Sequence, residues 1–171
     1  MPKTLILFQS LADTTTTIAD AVAEGARSVR FSEVEMRLVA EAPPSGGEAS
    51  EEWMQRRAAL AARYQPLADA DELSSYDAVI VGPSSSDGST NTELTRVLGR
   101  AGSLANKVGA AFSAAGDETL PWPLLQAMAE RDMILVPPAH DGSVAAARAL
   151  GKRVAEVTSW ITHARSHHHA H

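Results

Sequence analysis

Short apolar runs alternate with longer amphipathic stretches along the whole chain. The runs are Thr4–Phe8 (TLILF), Glu33–Val39 (EVEMRLV), Ala78–Gly82 (AVIVG), Lys107–Ser113 (KVGAAFS) and Met133–Pro137 (MILVP). Most are nearly continuous, as in strands covered on both faces. The second alternates, placing Val34, Met36 and Leu38 on one face, and reads as an edge strand. Between the runs, apolar residues recur at helical spacing: Ile18, Val22, Gly25 and Val29; Leu94, Val97, Leu98 and Ala101; Leu150, Val154, Val157 and Ile161. Strands alternating with helices predict a doubly wound α/β domain, a three-layer sandwich around a five-stranded parallel sheet of order 2-1-3-4-5. Ile6, Met36, Val79, Val81, Ala111 and Ile134 are expected to be buried. A ligand of such a sheet sits beyond the carboxyl ends of the strands, where the winding reverses.

Residues 41–75 interrupt this alternation. APPSGG is loop chemistry, and Ser50 can cap a helix through about Tyr64, with Glu51 and Glu52 near its positive end. Trp53, Leu60 and Tyr64 would dock that helix on the domain. A crossover helix lying on the sheet is favoured over a lid. The helix is expected to be peripheral, its outer face carrying a Glu52–Arg56 pair one turn apart.

The composition narrows the chemistry. The 171 residues suffice for one domain, expected over residues 1–165, followed by a His-rich tail, 166–171. A net charge of -6 with scattered basic residues argues against nucleic acid as a partner. The absence of cysteine excludes thiol catalysis, disulfides and cysteine-ligated zinc. No apolar stretch approaches the roughly 20 residues of a membrane span, so a cytoplasmic protein with no membrane partner is expected. No G-x-S-x-G elbow is present for a serine hydrolase. His163 and His167 lie one helical turn apart, where they could bind a transition metal, but a solvated tail is the preferred assignment. No metal site and no catalytic side chain is assigned. His140, at the mouth of the last strand, reads as a surface histidine.

Three loops at the strand ends carry the candidate site. The first, Ser10 to Thr17, places hydroxyls before a helix whose unpaired N–H groups attract an anion. Asp13 or Thr17 could instead be a plain N-cap, and Thr17-x-x-Asp20 approximates a capping box. The second, GPSSSDGSTNTE from Gly82 to Glu93, is long and rich in small polar residues, and Thr90-x-x-Glu93 could cap the next helix. The third runs from Ser113 to Pro123. Its Trp122 could stack on an aromatic ligand, pack in the core or cover a helix start, and Pro121 and Pro123 suit a first helical turn.

LILFQSLADTTTTIADAVAEGA, ELSSYDAVIVGPSSSDG, LANKVGAAFSAAG and MILVPPAHDG, in this order, resemble the flavodoxin-like superfamily. Within it they are most similar to the NAD(P)H:quinone oxidoreductases of the Trp-repressor-binding-protein type. With the helices between them they cover well over half the chain. The resemblance implies an FMN site, NAD(P)H as co-substrate and a quinone or similar small molecule as electron acceptor. It implies that Ser10, Leu11, Ala12, Thr14 and Thr15 hold the phosphate. Pro83, Ser84, Ser85, Ser86 and Gly88 would line one edge of the flavin ring, and Ser113, Ala114, Ala115 and Gly116 the other. A homodimer is compatible with it.

The chain departs from that family's pattern at several places. Asp13 stands where glycine is usual, and Asp87 where the second loop usually has an aromatic residue. Glu130 and Arg131 replace a histidine pair, and the Gly-rich extension of the third loop is missing. Two functions are therefore compatible with the sequence: an FMN-dependent oxidoreductase, or a flavodoxin-like module that has lost FMN and serves in binding or assembly.

Overall fold

The computed structural model describes residues 1–9, 13–39, 50–83, 88–113, 121–138 and 142–168. Five strands, β1 (Lys3–Phe8), β2 (Glu33–Leu38), β3 (Ala78–Gly82), β4 (Val108–Ala111) and β5 (Ile134–Leu135), form one sheet of order β2-β1-β3-β4-β5. Every pairing is parallel. The connections carry helices α1 (Asp13–Arg27), α2 (Glu51–Arg63), α3 (Gly88–Arg100) and α4 (Trp122–Ala129), and α5 (Val144–His168) closes the chain. The topology is the expected one.

The pleat divides the core in two. Ile6, Phe8, Ile80 and Ala110 face α1 and α5; Leu5, Leu7, Val79, Val81 and Ala111 face α3, α4 and a 3-10 turn at Ala70–Ser75. The tightest helix contact is between α1 and α5. A Cβ added at Gly25 would lie 1.9 Å from the Arg148 carbonyl oxygen, and one at Gly151 would lie 1.9 Å from that of Val22. The two glycines let the helix backbones touch.

Several local expectations need correction. Ile134 is 39% exposed, and β5 has only two residues, both accessible. As the far edge of the sheet it has no outer partner, and Pro137 and Pro138 offer no N–H to extend it. Met36 is half-buried, because β2 is the opposite edge. Val29 lies beyond the end of α1. Thr17 falls inside α1 and Thr90 inside α3, so neither caps its helix.

Ser50 caps α2 as expected, accepting from the Trp53 backbone N–H at 3.1 Å. Glu52 and Arg56 pair at 2.7 Å. Trp53 is the one buried residue of this helix, so α2 is held mainly at its ends. Beyond its last turn, Tyr64 packs edge-on against Phe8 and donates its hydroxyl to Asp20 of α1 at 2.9 Å. Burial, then the Asp20 carboxylate, push the Tyr64 phenol up to about 12. On the other face the sheet is covered between β2 and β3 by the 3-10 turn rather than by α2. There Tyr76 donates to Glu35, and Arg37 bridges Glu35 and Glu72 at 2.7 and 2.8 Å. The Tyr76 hydrogen bond, helped by Arg37, holds the Glu35 carboxyl below its ordinary range against the opposing effect of burial.

Candidate functional site

The carboxyl ends of β1, β3 and β4 are locked level with one another. The ladder continues one residue past β1, β2 and β4: Gln9 N–H donates to Gly82 O at 3.1 Å, Val39 N–H to Phe8 O at 2.9 Å, and Phe112 N–H to Val81 O at 2.9 Å. The three candidate loops leave from this edge. Parallel pairing therefore brings together segments that are about 70 and 30 residues apart in sequence.

Ser10, Leu11 and Ala12 lie outside the described residues, as do Ser84, Ser85, Ser86, Asp87, Ala114, Ala115, Gly116 and His140. The flanks of each loop are described. Asp13 opens α1, Thr14 and Thr15 follow in its first turn, and Gly88 opens α3. Pro83 is buried directly after β3. Ser113 is buried two residues after β4, with 8% of its surface accessible. The described members of the predicted set thus gather at one edge of the sheet.

Thr15 is the informative residue. It is fully buried, and its Oγ1 has no hydrogen-bond partner among the described residues. A buried hydroxyl without a partner costs about 1–3 kcal/mol, so its position needs a reason. It sits in the first turn of a 15-residue helix, where the dipole places about half a positive charge and an anion is favoured. Thr15 thus fits the phosphate end of the flavin nucleotide implied by the resemblance. Asp13 fits it poorly, since an acidic residue in the first turn competes for the same positive end.

The contact between Gly82 and Phe112 was not foreseen. Gly82 ends β3, and a Cβ there would lie 2.0 Å from the Phe112 ring. Phe112 therefore rests on bare backbone where β3 and β4 end, at the start of the second and third loops. The Gly-Pro step after a buried strand is the signal that could have revealed it. Trp122 is 64% exposed at the start of α4, which removes the core-packing alternative. Pro121 precedes it and Pro123 follows it, so its backbone is stiff.

Glu130 and Arg131 serve the scaffold. Arg131 donates to the carbonyls of Ala101 and Gly102 at 2.5 and 2.6 Å, tying the end of α4 to the end of α3. Glu130 accepts from Gln126 at 3.1 Å. Among the described residues, no group of three or more metal-ligating side chains occurs, and no helix is long and apolar enough to cross a membrane.

No family model matches the chain. A protein of Rhodopseudomonas palustris (strain BisB18), named NAD(P)H dehydrogenase (quinone), is 31% identical over 148 residues, covering 80% of this chain and 70% of its own. One of the same name from Azorhizobium caulinodans is 30% identical over 164 residues, covering 88% and 79%. Among solved structures, a flavodoxin from the domain Archaea superposes with a TM-score of 0.54 at 18% identity, over 92% of this chain and 99% of its own. A diflavin flavoprotein from Nostoc sp. gives 0.54 at 14% identity, over 98% and 99%. The two solved structures share the fold.

Proposed function

The chain belongs to the NAD(P)H dehydrogenase (quinone) family, within the flavodoxin-like fold, and from that premise we propose that it is an FMN-dependent oxidoreductase passing electrons from NAD(P)H to a quinone. The observation that carries the cofactor assignment is the buried hydroxyl of Thr15 at the head of α1, which has no partner among the described residues. Ser10, Leu11, Ala12, Thr14 and Thr15 hold the phosphate. The hydroxyls donate hydrogen bonds, and the first-turn amides add the helix dipole. Pro83, Ser84, Ser85, Ser86 and Gly88 line one edge of the ring, and Ser113, Ala114, Ala115 and Gly116 the other.

FMN, when bound, supplies the redox chemistry, and the balance is NAD(P)H plus quinone plus one proton giving NAD(P)+ plus quinol. The protein's part is to bind and orient. Phe112 against Gly82 fixes the gap between the ring-lining loops, and Trp122 offers an aromatic face at their margin. No side chain is required as an acid or base, which agrees with the scaffold roles of Glu130 and Arg131. The acceptor is a small molecule, and the use of NAD(P)H suits a cytoplasmic enzyme.

Asp13 supports a second reading. A carboxylate at the first helical position weakens a phosphate site, as a flavin-free binding module would tolerate. NAD(P)H oxidation with a soluble quinone, measured with and without added FMN, separates the two. FMN-dependent turnover supports the oxidoreductase; no turnover at saturating FMN supports the module.

A further inference from the structure

The last helix carries a feature that the redox reading leaves unused. His163 and His167 sit one turn apart near the end of α5, with their Nε2 atoms 3.1 Å apart, ring centroids 4.5 Å apart and ring planes at 72°. Both side chains are exposed. They do not belong to a loose tail. α5 continues through His168, and its last turns are fastened: Arg165 donates to Asn106 O at 2.5 Å, and Ser166 to His163 O at 2.8 Å.

Imidazole nitrogens bind late first-row divalent ions at about 2.0–2.1 Å. Two nitrogens 3.1 Å apart, each at that distance from one ion, subtend roughly 95–102° at it. That angle lies close to the 90° between neighbouring ligands of a square-planar or octahedral ion, the preference of Cu2+ and Ni2+. The steeply inclined rings occupy neighbouring ligand positions without stacking against each other. In the present contact the two Nε2 atoms face each other, with donor and acceptor roles set by the tautomer. An ion in its place takes both lone pairs after the rings turn about χ2.

We propose that His163 and His167 form a two-histidine chelate for a divalent late transition ion, of the Cu2+ or Ni2+ class, with water in the remaining positions. Two protein ligands make a moderate, exchangeable site. The ion cross-links successive turns and so clamps the end of α5. This inference is independent of flavin binding.

Calorimetric titration of the full chain with NiCl2 tests it, alongside hydrogen exchange of residues 162–168. One Ni2+ is expected to bind, with slower exchange over those amides. His163→Gln and His167→Gln should each weaken binding at least about tenfold, because the second ligand acts at high effective concentration, and should abolish the protection. His168→Gln, which keeps the pair, should change the affinity by less than about twofold. Absence of binding at millimolar Ni2+ would overturn the proposal. So would an equal loss in His168→Gln, or binding without protection of the helix end, since either result assigns the metal to histidines other than the His163–His167 pair.

Discussion

Replacing Gly151 by alanine tests the joint on which the placement of α1 depends. The new Cβ would lie 1.9 Å from the Val22 carbonyl oxygen and 3.1 Å from the Ala26 nitrogen, whereas ordinary contact begins near 3.4 Å. The helices must separate by about 1.5 Å, because the obstacle is backbone and no rotamer change relieves it. A gap of that size forfeits at least half of each dispersion contact across the seam, which Val22, Ala147, Leu150 and Val154 line. Overpacking strain of this kind costs up to about 3 kcal/mol or more, and alanine's better helix propensity returns about 1 kcal/mol. The net loss is about 2 kcal/mol, which for a chain of this size lowers Tm by roughly 4–8 °C. Gly99 is the control: it lies in α3 with nothing within 4 Å of an added Cβ, so Gly99→Ala should stabilise by about 0.5–1 kcal/mol. Urea unfolding followed by circular dichroism measures both. A Gly151→Ala protein as stable as the parent would refute the close approach of α1 and α5.

Stability should fall as pH rises from about 10 to about 12, with a contribution on the order of 2 kcal/mol from Tyr64, whose phenol is held protonated in the fold up to about 12 while an unfolded tyrosine ionises near 10. The folded state binds the extra proton in that window, so the loss comes on the alkaline side; Tyr64→Phe should flatten this part of the stability-pH curve, and an unchanged slope would remove Tyr64 as its source. Trp122→Ala should raise KM for the quinone severalfold while leaving FMN affinity within about twofold, because an exposed indole at the loop margin meets the acceptor rather than the phosphate; an unchanged KM in steady-state assays would assign Trp122 no part in acceptor binding.

The sheet was legible because four of its strands are continuous apolar runs and the fifth, β2, alternates like the edge strand it is. β5 was legible in position but not in burial. MILVP looks the same whether or not a further strand follows it, and only the finished topology makes Ile134 and Leu135 an accessible edge. The Ser50 cap could be read locally. The division of labour between α2 and the 3-10 turn could not, because it depends on Tyr64 reaching Phe8 and Asp20 across the fold. At the site, the hydroxyl-rich helix start pointed to Thr15, and its burial without a partner emerges only from packing. The Gly82–Phe112 contact joins residues 30 positions apart and has no local periodicity to betray it.

Titration of apoprotein with FMN and with riboflavin, read by flavin fluorescence quenching, tests the central claim most directly. Two like unit charges about 4 Å apart near a surface repel by roughly 1–4 kcal/mol, or about one to three decades of affinity. Asp13→Gly should therefore tighten FMN by about ten- to a thousandfold and riboflavin by less than about twofold. Thr15→Val, which removes the hydroxyl proposed to donate to the phosphate, should weaken FMN about tenfold or more. If Asp13→Gly leaves FMN affinity unchanged, or neither protein binds FMN at millimolar concentration, the hydroxyls at the head of α1 do not form a phosphate site and the flavin-dependent account is wrong.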